Sequence, residues 1–445
     1  MACKMLPARL ACRGAAAILL AWACAVLPVL PVLAQQGPPD SPEEWIGDPR
    51  RKQMTGDWNG WRGWLDTKGV SLRSHYIAEI AGNPSGGLAQ GTAYAHQVDA
   101  GADLDLATLV GLQGGSLHVT VTERTGYSLS QSFIGNIISV QEIFGSGQNV
   151  RLAELAYRQS MLEGRLESRV GWVHASDDFA SSPLYCYFQN NGFCGQVATV
   201  INSGFTIFPT GSWGGRLKAR PVDDVYVMSG VYEVNPTLSL PPNGFKLGTS
   251  GATGVIVPTE IGWQPKVGSG QLPGSYRLGG YYDTSEAPYL GSPPGGPQST
   301  VTGRWGLWLQ GDQMLYRPAG DSVRHLSAFA VFGYAGPATA LLSTYWQLGL
   351  VKKGTFTDRD HDSIGLAVNS SWLSSALVAA QNAANALVPG STPVQSAETT
   401  IEANYRFQAS PWLSLMPNLQ YVIRPNGLAG IPNAFVLGLQ IKATF

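Results

Sequence analysis

Polar and apolar residues change places at every second position through much of this chain. In RLESRVGW (165–172), Arg165, Glu167 and Arg169 fall on one face, opposite Leu166, Val170 and Trp172 with Ser168. A period of two is that of a strand with one wet face. In QVDAGADLDLA (97–107), Gln97, Asp99, Asp103 and Asp105 oppose Val98, Ala100, Ala102, Leu104 and Leu106. Arg216, Lys218 and Arg220 oppose Leu217 and Ala219, and Arg73, His75 and Glu79 share a face further upstream. The stretch RLAELAYRQS (151–160) is less regular. Glu154 and Arg158 share a face with Leu152 and Ala156, while Arg151 falls on the other, and the leucines sit near helical spacing. Alone, that stretch does not reject a helix; MLEG (161–164) then reads as a hairpin turn.

Alternating segments of about ten residues, the length of a tilted membrane-spanning strand, recur along the chain. The first eight fall at 70–80, 97–107, 115–124, 151–160, 165–174, 213–220, 224–233 and 254–264. Eight more fall at 275–284, 303–316, 324–334, 344–352, 363–372, 397–407, 412–422 and 434–445. Sixteen is even, as a barrel with both chain ends on one side requires. The connections alternate long and short, with one near-tie between 335–343 and 353–362. A sandwich has no reason to alternate so, whereas a barrel threaded through one membrane does. SALVAAQNAANALVP (375–389) predicts a short helix in one long loop. MTGDWNGWRGWLDTKG (54–69) predicts another, with Asp57 as cap and Trp58, Trp61, Trp64 and Leu65 on one face, packed at the periplasmic mouth.

The chain opens with Lys4, Arg9 and Arg13 and then runs apolar from Gly14 to Ala34, the layout of a secretory signal peptide over 1–34; a retained helix is the alternative. Without those three cations, the 29 basic residues fall to 26 against 30 acidic ones. Neither this balance nor any basic run suits nucleic acid. Past the leader only Cys186 and Cys194 remain, predicting one disulfide that closes a small loop, with two free thiols as the alternative. Charged residues are only 13% of the chain, against about 25% in soluble proteins, while aromatics reach 10% and there are 54 glycines. No apolar run of 18 residues follows the leader, so the classes left are a soluble β-protein and a closed membrane barrel.

Facing the 165–169 charges to lipid would cost roughly 2–4 kcal/mol per Arg near mid-membrane. They are therefore assigned to the lumen, with Arg73, Glu79, Asp99, Asp103, Glu154, Arg158, Arg216 and Lys218 as further wall candidates. Walls carrying both signs suit a solute rich in hydroxyls, each of which donates and accepts, whereas a strongly ion-selective pore shows rings of one sign. Simple solvation of a wet lumen is the plainer alternative for any one residue. Trp305 and Trp308, Tyr226 and Tyr232, Tyr281 and Tyr282, and Trp412 and Tyr421 are assigned to interface girdles; packing a sandwich core is the alternative. The final strand puts Phe435, Leu437, Leu439, Ile441, Ala443 and Phe445 on one face. An enzyme is disfavoured, because the histidines are scattered and no G-x-S-x-G elbow occurs. DRDHD (358–362) reads as a charged turn in preference to a metal cluster.

Several stretches resemble the carbohydrate-selective porins of OprB type. They are TGDWNGWRGWLDTKGVSL (55–72), the block 151–195 with both cysteines, SWGGRLKARP (212–221), GVYEVNP (230–236), RLGGYYDTS (277–285), GDQMLYRP (311–318) and WLSLMPNLQYVIRP (412–425). Trp61 and Val173–His174 depart from the pattern, and His174 beside Asp177 and Asp178 bears on selectivity. The resemblance implies an all-β, 16-stranded antiparallel transmembrane barrel in the outer membrane, over 70–445. A periplasmic segment with a short helix (35–69) would precede it. The implied function is passive diffusion of sugars past an Arg- and Glu-lined constriction, onto which Glu154, Arg158, Arg165, Glu167 and Arg169 carry over. A general pore, an outer-membrane lipid esterase and a secreted sandwich are the alternatives. Expected partners are small carbohydrates, monosaccharides foremost, outer-membrane lipids, and the barrel-assembly machinery reading the strand that ends at Phe445. No cofactor or metal is expected, and a homotrimer is the assembly to test. The disulfide-bearing loop 175–212 is the candidate constriction loop.

Overall fold

The computed structural model describes residues 52–145, 147–194, 197–293, 295–318 and 323–445; the leader and the first part of the 35–69 segment lie outside these. Sixteen antiparallel strands close on themselves. They are β1 (Val70–Ser85), β2 (Gly91–Asp105), β3 (Gly115–Gly126), β4 (Val150–Met161), β5 (Leu166–Val173), β6 (Ser212–Val222), β7 (Val225–Val234) and β8 (Gly254–Trp263). There follow β9 (Leu272–Pro288), β10 (Thr300–Tyr316), β11 (His325–Ala335), β12 (Leu342–Lys353), β13 (Ser363–Leu373), β14 (Ala397–Ser410), β15 (Leu413–Ile423) and β16 (Ala434–Thr444). A two-residue strand, Lys266–Val267, only extends the β8–β9 hairpin. Pairing of β1 with both β2 and β16 closes the ring, so no edge is left to template aggregation, and a sandwich is excluded.

All sixteen expected segments are strands, and the differences have local causes. β2 runs from Gly91 and stops at Asp105, because the Asp105 side chain accepts from the Ala107 N–H and starts a one-turn helix, α2 (Leu106–Val110). The first helix, α1 (Trp61–Thr67), lies at the end of the barrel that holds Phe445. Asp57 reaches past its first turn to the Gly63 N–H, and Arg62 donates to the carbonyl oxygen of Phe445 at 3.0 Å. At the opposite end the long loops gather. There α3 (Ser375–Leu387) is capped by the Ser374 hydroxyl, which accepts from Ala376 and Leu377.

Outward positions are apolar and half exposed, among them Leu217, Ile261, Leu309, Leu348, Leu366 and Leu437. Trp213, Tyr282, Trp305, Trp372 and Tyr421 ring this belt near the loop end, and Trp263 and Tyr276 near the other. Four of the expected girdle residues do not belong to it: Trp308, Tyr226, Tyr232 and Tyr281 face inward and are buried. Alternation assigns a side only when the register is known, and each of these four sits on its strand's inward parity. Leu348, midway along β12, faces outward at 52% exposure. Leu348→Arg is expected to cost roughly 2–4 kcal/mol, read as a lower urea midpoint for refolding into lipid.

Two loops fold back into the barrel. Phe179, Tyr185, Phe188, Phe193, Val197, Val200 and Phe205 of the loop 174–211 pack on Tyr226, Tyr232, Ile256, Tyr281, Trp308, Phe329 and Tyr345 of the wall. The wall is smooth because aromatic rings lie across strand-paired glycines: Tyr226 over Gly262, Trp308 over Gly279 and Phe329 over Gly349. A Cβ at those three glycines would come within 2.1 to 2.3 Å of the rings. Cys186 and Cys194 form a disulfide within this loop.

Candidate functional site

The inserted loops divide the lumen. The loop 174–211 packs on the aromatic wall of β7–β13 and the loop 127–149 against β1, β2, β15 and β16, while a run of paired charges stands on the wall of β1–β6. A single chain of ion pairs crosses that wall. His118 Nδ1 meets Asp103 at 2.6 Å, and Asp103 is gripped bidentately by Arg73 at 2.9 and 3.1 Å. Arg73 also approaches Glu154 at 3.7 Å. Glu154 receives Arg158 at 3.3 Å and Arg169 at 2.7 Å. Arg169 continues to Asp177 at 2.7 Å and Asp178 at 3.0 Å, Asp178 to Arg216 at 2.9 Å, and Arg216 to Glu167 at 3.5 Å. Seven of the eleven wall candidates thus join one network.

A bulge makes this possible. Thr120 pairs with Glu154 but Val121 with Leu152, so Ala153 is an extra residue in β4. One inserted residue reverses the parity of everything beyond it. Arg151, which alternation assigns to the outer face, is therefore buried inside, donating to Thr210 Oγ1 at 2.7 Å and the Leu238 carbonyl at 3.1 Å. Glu154 faces inward as well. The irregular pattern of 151–160 is this bulge, not a helix.

The other candidates sit apart. Asp99 accepts from Gln97 and Thr122 beside the network. Lys218 lies 4.3 Å over the Tyr226 ring. Arg165 stands in the 162–165 turn, largely exposed, 3.3 Å from Asp223. Glu79 faces inward but is sealed: its carboxylate accepts from Gln440 and from the Ile143 N–H of the loop 127–149.

Glu79 belongs to a second group that the sequence did not single out. Wall carboxylates hold the loops by their backbone. Glu398 accepts from the N–H groups of Ile137 and Ile138, and Glu402 from Gln189 and Asn190 at 2.9 and 2.8 Å. Glu260 accepts from the Ala180 N–H, Tyr226 and Trp308, and Asp283 from the Gly204 N–H. An ionised carboxylate is acceptor-only, so each matches loop donors that would otherwise lie buried and unpaired. Further inward-facing cations are Arg124 on β3 and Lys442 on β16. The period-two runs LHVTVTER and LQIKAT contain the signal for both.

In the loops, two acids are shifted in opposite senses. Burial would raise the Asp177 carboxyl, but His174 and Arg169 against it hold it well below the usual carboxylate range. Burial pushes the Glu142 carboxyl up, against the pull of Arg124 and Lys442. The turn 358–362 spends its charges locally, Arg359 on Asp362 and Arg324 on Asp360. The arrangement supplies fixed donors and acceptors along one wall of a water-filled path.

Comparison with known proteins agrees with this geometry. A family model described as "Carbohydrate-selective porin, OprB family" matches residues 89–445. Porin B of Pseudomonas aeruginosa is 36% identical over 420 residues, covering 89% of this chain and 92% of that protein. A putative porin, QuiX, of Acinetobacter baylyi is 29% identical over 422 residues, covering 90% and 94%. The high-pH structure of Pseudomonas putida OprB superposes with a TM-score of 0.85 at 35% identity, over 90% of this chain and all of that one. The low-pH structure of the same protein gives 0.59 at 26% identity, over 89% of this chain.

Proposed function

Because the chain belongs to the carbohydrate-selective porin family OprB and is an outer-membrane sugar porin of a Gram-negative cell, we propose that its solutes descend along the β1–β6 wall and meet their narrowest passage at the Arg–carboxylate network. The protein is a channel and not an enzyme. The observation that carries the proposal is where the charges stand: the loop 174–211 covers the aromatic wall of β7–β13, and the strands β1–β6 carry the network of paired charges. In such a network each charge already has a partner, so the wall has little net pull on a free ion. It still presents unsatisfied lone pairs and N–H groups to hydroxyls. Arg73, Asp103, Glu154, Arg158, Glu167, Arg169 and Arg216 are the residues assigned to this wall, with Asp99 and Lys218 beside it. Monosaccharides are the solutes proposed for this path.

Residues 1–34 are assigned as the leader, and the end holding α1 and Phe445 as periplasmic, since the long loops gather at the other. Arg62 on the Phe445 carbonyl and the apolar face of β16 support the assembly machinery reading this strand. Ala328 and Ala330 on the lipid face, between Leu348 and Tyr276, give a shallow apolar hollow where a neighbouring subunit of a homotrimer would pack.

Liposome swelling with a series of mono- and disaccharides tests the function. Swelling by monosaccharides ahead of equally small charged solutes is expected; equal rates for every solute of one size would make this a general pore. Arg158, its side chain 44% exposed to the lumen, gives a sharper test. Arg158→Glu puts a second carboxylate beside Glu154, and a salt-gradient reversal potential is expected to move toward cations.

A further inference from the structure

On the reading of the chain as a sugar channel, we propose that the loop-end vestibule is a saccharide capture site, where a pyranose ring rests on Phe144 and its hydroxyls are met by Arg124 and Glu142. The vestibule is a cavity of about 500 Å³ formed by both inserted loops and the ends of β7–β10, within the usual range for small-ligand sites and roomy enough for a sugar and its waters. It combines an apolar floor with a few polar groups, the composition such sites share.

Three aromatic rings line it, and two are already engaged. Phe205 packs edge-on against Tyr281 and Trp308. Phe208 lies against His174, with Arg124 5.4 Å above its centroid. Phe144 has no ring partner among the described residues, and it is half-buried at the cavity wall. Its polar neighbours differ from those of the β1–β6 wall, where charges are spent on each other. Arg124 uses Nε on Gln97, and among the described residues its terminal nitrogens make no hydrogen bond and its guanidinium no ion pair. The Glu142 carboxylate makes neither. A cation and a carboxylate lining one vestibule, unpaired with each other, offer donors and acceptors that only a polyhydroxyl solute or water can use together. The arrangement would concentrate sugar above the charged wall and orient it edge-first.

The test is block of single-channel current by glucose added to the loop side of the reconstituted full-length protein. Phe144→Ala is expected to raise the half-blocking glucose concentration roughly fivefold, and Phe144→Trp to hold it near the wild-type value. Half-block by Phe144→Ala within twofold of wild type overturns the capture site and leaves the sugar-channel reading intact. Should Phe144→Ala not fold, Phe144→Leu keeps the bulk, removes the ring and is read by the same criterion. A wild-type protein whose current no sugar blocks, in liposomes that no sugar swells, overturns both readings.

Discussion

Arg169→Met unfolds at markedly lower denaturant than the wild type, with a loss of about 3–5 kcal/mol in stability. Arg169 is buried, and among the described residues its guanidinium alone links Glu154 on β4 to the two aspartates of the inserted loop. Met fills much of the same volume, so the loss comes from charge and not from a cavity. Three carboxylates are left facing one another in a space that solvent only partly reaches, the circumstance in which breaking a buried pair is most costly. The pH dependence has a definite sign. Asp177 is held below the ordinary carboxylate range in the folded chain, so its contribution is complete above about pH 4–5 and is lost as pH falls below that. Arg169→Met removes one of the two groups that hold it down. The decline of stability on acidification should therefore be shallower in the variant, which urea midpoints between pH 7 and pH 3 measure. A variant with the wild-type midpoint and slope would show that the network is ornamental to folding.

Glu402→Leu should open the pore. The Gln189 and Asn190 N–H groups lose their acceptor, and each buried donor left unpaired costs roughly 1–3 kcal/mol. The segment around the disulfide then prefers water to the wall, despite Phe188 and Phe193. The β14 ladder does not depend on that carboxylate, so the barrel stays closed. Expected in planar bilayers are a larger, fluctuating conductance and weakened sugar block. Glu402→Gln keeps one acceptor oxygen and should fall between. Steady wild-type conductance in Glu402→Leu would mean that the apolar contacts alone hold the loop.

The barrel was legible because its two faces meet different solvents, and that contrast is written at every second residue of each strand. It failed where contrast failed. The run GTAYAH at the start of β2 is small and mixed on both faces, so the strand appeared to begin six residues late. Ala153 is one residue among twelve in β4, and nothing in its type announces that the ladder skips it. The side of each wall residue could be read, but not what fills the lumen beside it. Glu79 and Asp103 carry the same signature of alternation, yet one is shut beneath a loop and the other lies on the open wall. The loop 174–211 has no period at all, and its aromatic residues pack against strands far away in sequence. Glu260, Glu398 and Glu402 acquire their role only once that packing exists.

The rings laid across Gly262, Gly279 and Gly349 set the gauge of the channel from a surface no solute touches. A methyl group added beneath any of them would tip the ring upright and lift the inserted loop toward the opposite wall. The calibre of the aperture is thus adjustable by a few ten-thousandths of the molecule's mass, at positions hidden behind the lining, while every group that meets a passing sugar stays as it is.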